Sequence, residues 1–108
     1  MSAGAAWGIL ALAVAFEVVG TSMLKLADGF ARPLWFVAAL LAYGVCFAFL
    51  TIAFKHIPLS VAYLIWGAGG AVLIVLADIF LFGQAIGGLK LMFMAVIIVG
   101  VIGLKLAP

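Results

Sequence analysis

Long apolar runs broken by three short polar or turn-forming clusters set the pattern of this chain. The breaks fall at Lys25 to Pro33, Lys55 to Pro58 and Gly83 to Lys90. They leave four apolar segments, roughly Ala5 to Leu26, Leu34 to Phe54, Leu59 to Phe82 and Leu89 to Leu106. Each is near the ~20 residues a helix needs to cross a ~30 Å hydrocarbon core. Strands of ~10 residues with alternating polarity are not seen, and a helix satisfies its own backbone hydrogen bonds in lipid. The pattern therefore predicts an all-α integral membrane fold: one transmembrane domain over residues 1–108 with four spans. Pro33 and Pro58 stand at span entrances, where a missing N–H is tolerated, and Trp7 and Trp35 lie near span ends, where interfacial aromatics belong.

Composition agrees with lipid as the main covering. Of 108 residues, 71% are hydrophobic and 7% charged, against about 25% charged in an ordinary soluble domain. A secretory signal would be followed by a polar mature protein, whereas this chain stays apolar to its end, so the first span is retained as structure. A lone Cys46 excludes an intrachain disulfide and a thiolate-rich metal site. His56 has no second histidine to form a metal site with, and no cofactor is expected. Net charge is only +2 and the basic residues are scattered, which gives no support to nucleic-acid binding.

Loop charge bears on orientation. With four spans, both termini and the second loop share one side, carrying Lys55 and Lys105; the other side carries Lys25, Arg32 and Lys90. Orientation normally follows an excess of Lys and Arg. So small a difference permits insertion both ways round, and an antiparallel, dual-topology dimer becomes an expected arrangement.

Glu17 is the residue that calls for explanation. It lies in the middle of the first span, within AVAFEVVGTSMLK, and a charged group there costs about 2.5–3.5 kcal/mol on insertion scales. Such residues usually mark an ion or substrate path; the plainer alternative is a protonated carboxyl hydrogen-bonded between helices. At helical spacing Ala13 and Val14 precede Glu17 on its face, and Gly20 and Thr21 follow it. Small neighbours let a ligand or another helix approach, and Thr21 offers a hydroxyl. Removal from water favours the neutral form of a carboxyl group, so a site of this kind can hold a proton or a cation in turn. Two copies in a dimer would titrate as a coupled pair.

Tyr63 and Trp66 share a face of the third span, and aromatic faces attract desolvated cations; ordinary packing is the alternative for both. Tyr43 in the second span is a third candidate, while Phe47, Phe49 and Phe80 are read as packing. Gly67, Gly69 and Gly70 allow either a bend or close helix contact. Asp78, ~8 Å from the expected end of its span, is read as a solvated or interhelical acid, with a second coupling acid as the sharper alternative. No nucleophile, base and orienting group occur together, so an enzyme is not expected.

The stretches AFEVVGTSMLKLADGF, IPLSVAYLIWGAGGAVLI and LFGQ resemble the small multidrug resistance family of bacterial exporters, and the resemblance spans nearly the whole chain. It implies an antiparallel dimer in the bacterial inner membrane that exports cationic compounds in exchange for protons by alternating access at a shared central site. Within it, Glu17 corresponds to the carboxylate shared by proton and substrate. Tyr63 and Trp66 correspond to the flanking aromatics, and Tyr43 to a second-span aromatic of the drug-exporting branch. Gly20 and Thr21 correspond to small residues of the first helix, and the guanidinium-exporting branch usually has Trp at the Gly20 position. That implies quaternary ammonium and other lipophilic cations as substrates. Phe93, Ala68 and Asp78 depart from the usual pattern, and the ending GVIGLKLA is nearer the guanidinium branch. LSVAYLIWGAGG is also similar to members that pair unlike subunits, some exporting polyamines. The alternatives are thus a guanidinium or polyamine exporter, as homodimer or heterodimer, and a non-transporting subunit of a membrane complex.

Overall fold

The computed structural model describes residues 2–108. They form four helices in sequence: α1 (Ala3–Leu26), α2 (Pro33–His56), α3 (Leu59–Phe80) and α4 (Gly88–Leu106). There is no strand among the described residues. All four are long and apolar enough to cross a membrane; at 1.5 Å per residue they measure roughly 28–36 Å.

The helix ends follow from local chemistry. Ser2 caps α1, its side chain accepting from the Ala5 N–H at 3.1 Å. Asp28 and Gly29 stop the helix with successive left-handed conformations, φ 49° and 68°, which Gly and short polar residues adopt most readily. The Arg32 N–H then returns to the Ala27 carbonyl at 3.0 Å. Pro33 opens α2. That helix runs past Phe54, the expected end of the segment, to include Lys55 and His56, because basic residues suit the negative end of a helix dipole. Pro58 forces the residue before it out of helical geometry, and Ile57 is extended at φ −124°, ψ 136°. At the far end α3 stops at Phe80, short of the expected Phe82, and a turn with Gly83 at φ 69° brings the Gln84 N–H to the Asp78 carbonyl at 3.0 Å.

Packing is concentrated between α1 and α2, with α3 against α1 and α4 against α3. On α1 the residues Ala6, Leu10, Ala13, Val14 and Gly20 are buried. On α2 the buried set is Ala39, Ala42, Cys46, Leu50 and Ala53. Apart from Val14, which meets Gly69 of α3, both rows keep the three-and-four spacing of one helix face, and both are dominated by small side chains that let helix backbones approach closely in a membrane. Glu17 falls on the α1 row, between Ala13 and Gly20. The apolar seam that joins the two helices therefore carries the carboxylate into their interface. No residue of α4 is buried.

Candidate functional site

The Glu17 carboxylate is met directly from α1 and α3 and, through Thr21, from α2. On its own helix, one turn on, the Thr21 hydroxyl donates to Glu17 Oε1 at 3.0 Å. From α2, the Tyr43 hydroxyl lies 2.5 Å from Thr21 Oγ1. A hydroxyl has one hydrogen to give, and Thr21 gives its hydrogen to Glu17, so Tyr43 must be the donor to Thr21. The result is a directed chain, Tyr43 to Thr21 to Glu17. From α3, Gly70 is buried beside the carboxylate, and a β-carbon there would overlap Oε2.

The two oxygens of Glu17 are unequal. Oε1 has its partner; Oε2 is buried without one. A buried polar atom left unpaired costs about 1–3 kcal/mol, and natural proteins carry few of them without a functional reason. A proton arriving at Oε2 would neutralise the buried charge, and a cation beside it would balance that charge, and this is the chemistry the arrangement offers. The site has no group of three or more His, Cys, Asp or Glu able to hold a metal among the described residues.

Gly20 supports the cluster from behind. Its missing β-carbon would stand 3.3 Å from the Tyr43 ring, so the absence of a side chain lets the ring lie against α1 with its hydroxyl at Thr21. The indole of Trp66 faces the Cys46 thiol, yet its N–H is buried and finds no hydrogen-bonding partner of ordinary geometry. Tyr63 packs on Trp66, ring centroids 5.7 Å apart and tilted by 52°, and is 57% exposed.

Of the residues singled out in the sequence, Glu17, Thr21, Tyr43 and Gly20 thus form one contiguous cluster. Trp66 adjoins the same core through Cys46. Tyr63 stands on the outer side of Trp66, outside the hydrogen-bonded group. Ala13 is fully buried in the core and belongs to the seam one turn before Glu17 instead of to an open surface. Sequence reasoning missed the particular role of Gly70; the available signal was the Gly67, Gly69 and Gly70 cluster, which did not say which glycine faced the acid. It also missed a largely apolar cavity at the ends of α1 and α3, where Ser22, Lys25 and Asp78 border the same space as Ile74, Ala77 and Phe82.

Comparison with known proteins gives one family model, described as Small Multidrug Resistance protein, which matches residues 5–97. Quaternary ammonium compound-resistance protein QacC of Staphylococcus aureus is 32% identical over 97 residues, 90% of this chain and 91% of the relative. Multidrug resistance protein Mmr of Mycobacterium tuberculosis is 41% identical over 99 residues, covering 91% and 92%. Quaternary ammonium compound-resistance protein QacE of Escherichia coli is 35% identical over 100 residues, covering 93% and 91%.

Proposed function

Because the chain belongs to the small multidrug resistance family, we propose that it exports lipophilic and quaternary ammonium cations in exchange for protons, with Glu17 as the one group both occupy in turn. The observation that carries this reading is the unequal carboxylate: Oε1 held by Thr21, Oε2 buried and unpartnered. A proton on Oε2 neutralises the carboxyl group in one state. In the other, a cation beside the carboxylate balances its charge, and binding one expels the other. Exchange is obligatory so long as the two do not bind together.

Several features support the cargo. Relatives carry names for quaternary ammonium and multidrug resistance. Trp66 and Tyr63 offer aromatic faces, and a desolvated cation over such a face gains about 2 kcal/mol or more. Gly20 leaves the Tyr43 ring in contact with α1, a place with no room for the tryptophan of the guanidinium branch.

Alternating access requires a cavity closed on both sides, which this monolayer of helices does not enclose by itself. The lack of any buried residue on α4 and the exposure of Tyr63 support an antiparallel dimer in the bacterial inner membrane, with both Glu17 carboxylates facing a shared centre. The balanced loop charges are compatible with insertion in both orientations.

The test is binding of tetraphenylphosphonium to the purified protein, with proton release followed in weakly buffered solution. The expected result is release of protons on binding, weaker affinity at low pH, and loss of both in Glu17→Gln. Equal binding at acidic and alkaline pH with no proton release would overturn the exchange. Guanidinium in place of tetraphenylphosphonium separates the two cargo classes, and absence of any cation binding would leave a non-transporting subunit.

A further inference from the structure

Asp78 is the second acid within a span; the third acid of the chain, Asp28, lies in the loop after α1. α1 and α3 run in the same direction, with Gly70 beside Glu17. Asp78 follows Gly70 by eight positions, and Lys25 follows Glu17 by eight. The two helices keep this register, since Asp78 and Lys25 line one cavity of about 230 Å³ with Thr21 and Ser22, walled by the apolar Ile74 and Ala77. Thr21 is the hydroxyl that holds Glu17, so the cavity begins where the Glu17 cluster ends and leads toward the loops.

Asp78 and Lys25 share this cavity without an ion pair within 4.0 Å. Asp78 is half-buried and Lys25 exposed. The Asp78 backbone is held by the Gln84 N–H, whereas Lys25 stands in the last turn of α1 on a long stem that can extend its ammonium to water. The Asp78 carboxylate thus lies at one end of a largely apolar cavity whose other end is bordered by Thr21, the hydrogen-bonding partner of Glu17. Eight residues of helix rise separate the two acids along the bundle by about 12 Å.

We propose that this cavity is a second-charge site for dications: molecules with two ammonium groups about 12 Å apart on an alkyl linker, one end at Glu17 and the other at Asp78, with the linker along Ile74 and Ala77. The proposal rests on the reading of Glu17 as a cation site. It adds a reason why Asp78, Ser22 and Lys25 border one space with the hydroxyl of that site. A single-headed cation with the same alkyl chain fills the same channel but leaves Asp78 unpaired. Lys25 borders the same cavity, and its positive charge opposes a second ammonium at Asp78.

The experiment compares octamethonium with octyltrimethylammonium by calorimetry on the full chain in detergent, with hexamethonium and decamethonium as length controls. The expected result is that octamethonium binds about tenfold more tightly than its single-headed analogue, as a close charge pair allows, and more tightly than either length control. In Asp78→Asn that advantage disappears while octyltrimethylammonium affinity stays within about twofold; in Lys25→Met the advantage grows. Asp78→Glu retains it, which keeps the comparison open should the Asn variant fail to fold. Equal affinity for the two probes in the unaltered protein overturns the proposal, as does an Asp78→Asn variant that weakens both probes alike. If octyltrimethylammonium binds and depends on Glu17, such a failure belongs to the Asp78 site alone; if neither probe binds, the reading of Glu17 falls with it.

Discussion

Gly70 of α3 lies against the Glu17 carboxylate of α1 so closely that no β-carbon fits between them. A methyl group there would have to displace a charged or protonated oxygen, or push two packed helices apart. Overfilling of this kind costs about 1–3 kcal/mol, equivalent to roughly 5- to 150-fold in an equilibrium. Gly70→Ala is therefore expected to weaken tetraphenylphosphonium binding by at least about fivefold while helical content by circular dichroism stays unchanged. Gly69→Ala is the control, because its β-carbon would make only ordinary contacts at 3.9 Å with Val14. Equal behaviour of the two variants would refute a specific role for Gly70.

Thr21 joins the carboxylate to Tyr43, and its hydroxyl is the shared atom of both bonds. Thr21→Val keeps the shape but leaves Glu17 Oε1 and the Tyr43 hydroxyl without their partner, at a cost of about 1–3 kcal/mol. Thr21→Ser should restore most of it. Tyr43→Phe, which removes only the donor to Thr21, should have a smaller effect than Thr21→Val. Thermal unfolding in detergent together with cation affinity measures the series. A Val variant as tight and as stable as the Ser variant would show that the hydroxyl chain has no energetic role.

How far the sequence carried depends on what kind of information each feature needs. The four helices were legible because Lys25 to Pro33, Lys55 to Pro58 and Gly83 to Lys90 interrupt runs that lipid would otherwise cover. The last helix turns were less so: α2 keeps Lys55 and His56 and α3 stops before Leu81, since end effects depend on dipole and turn geometry as well as hydropathy. Glu17 and Thr21 share a face of one helix, so their pairing could be read from spacing alone. Tyr43 and Gly70 come from other helices, and which glycine meets the acid is fixed by the relative rotation of α1 and α3, for which a single sequence holds no direct record. The same is true of Lys25 and Asp78, distant in the chain and adjacent to one cavity only because two parallel helices stay in register.

Cys46 is fully buried in the α1–α2 seam, at 0% exposure. A maleimide needs access to the sulfur, so the folded protein in mild detergent should resist labelling and label fully after denaturation in sodium dodecyl sulfate. Rapid labelling of the folded form would mean that α1 and α2 separate at Cys46, and the close packing of Ala13, Gly20, Ala39 and Ala42 would have to be reconsidered.

Lys105 near the end of α4 places its ammonium 4.9 Å from the centre of the Trp7 ring on α1. The backbone of α4 packs on α3 alone, so this side-chain contact ties the end of α4 to the beginning of α1. A cation over an indole contributes about 0.5–1 kcal/mol when exposed and more when shielded from water. Lys105→Met removes that contact and also a charge that favours the helix C-terminus, whereas Trp7→Leu removes the contact together with indole packing on the core. Hydrogen exchange of the final turn of α4 in the two variants and their combination separates the contributions. The expected coupling between the two sites is about 0.5–1 kcal/mol, with Lys105→Arg close to the unaltered protein. Strict additivity would reduce Lys105 to its interaction with its own helix, and α4 would then be held to the rest of the protomer through α3 only.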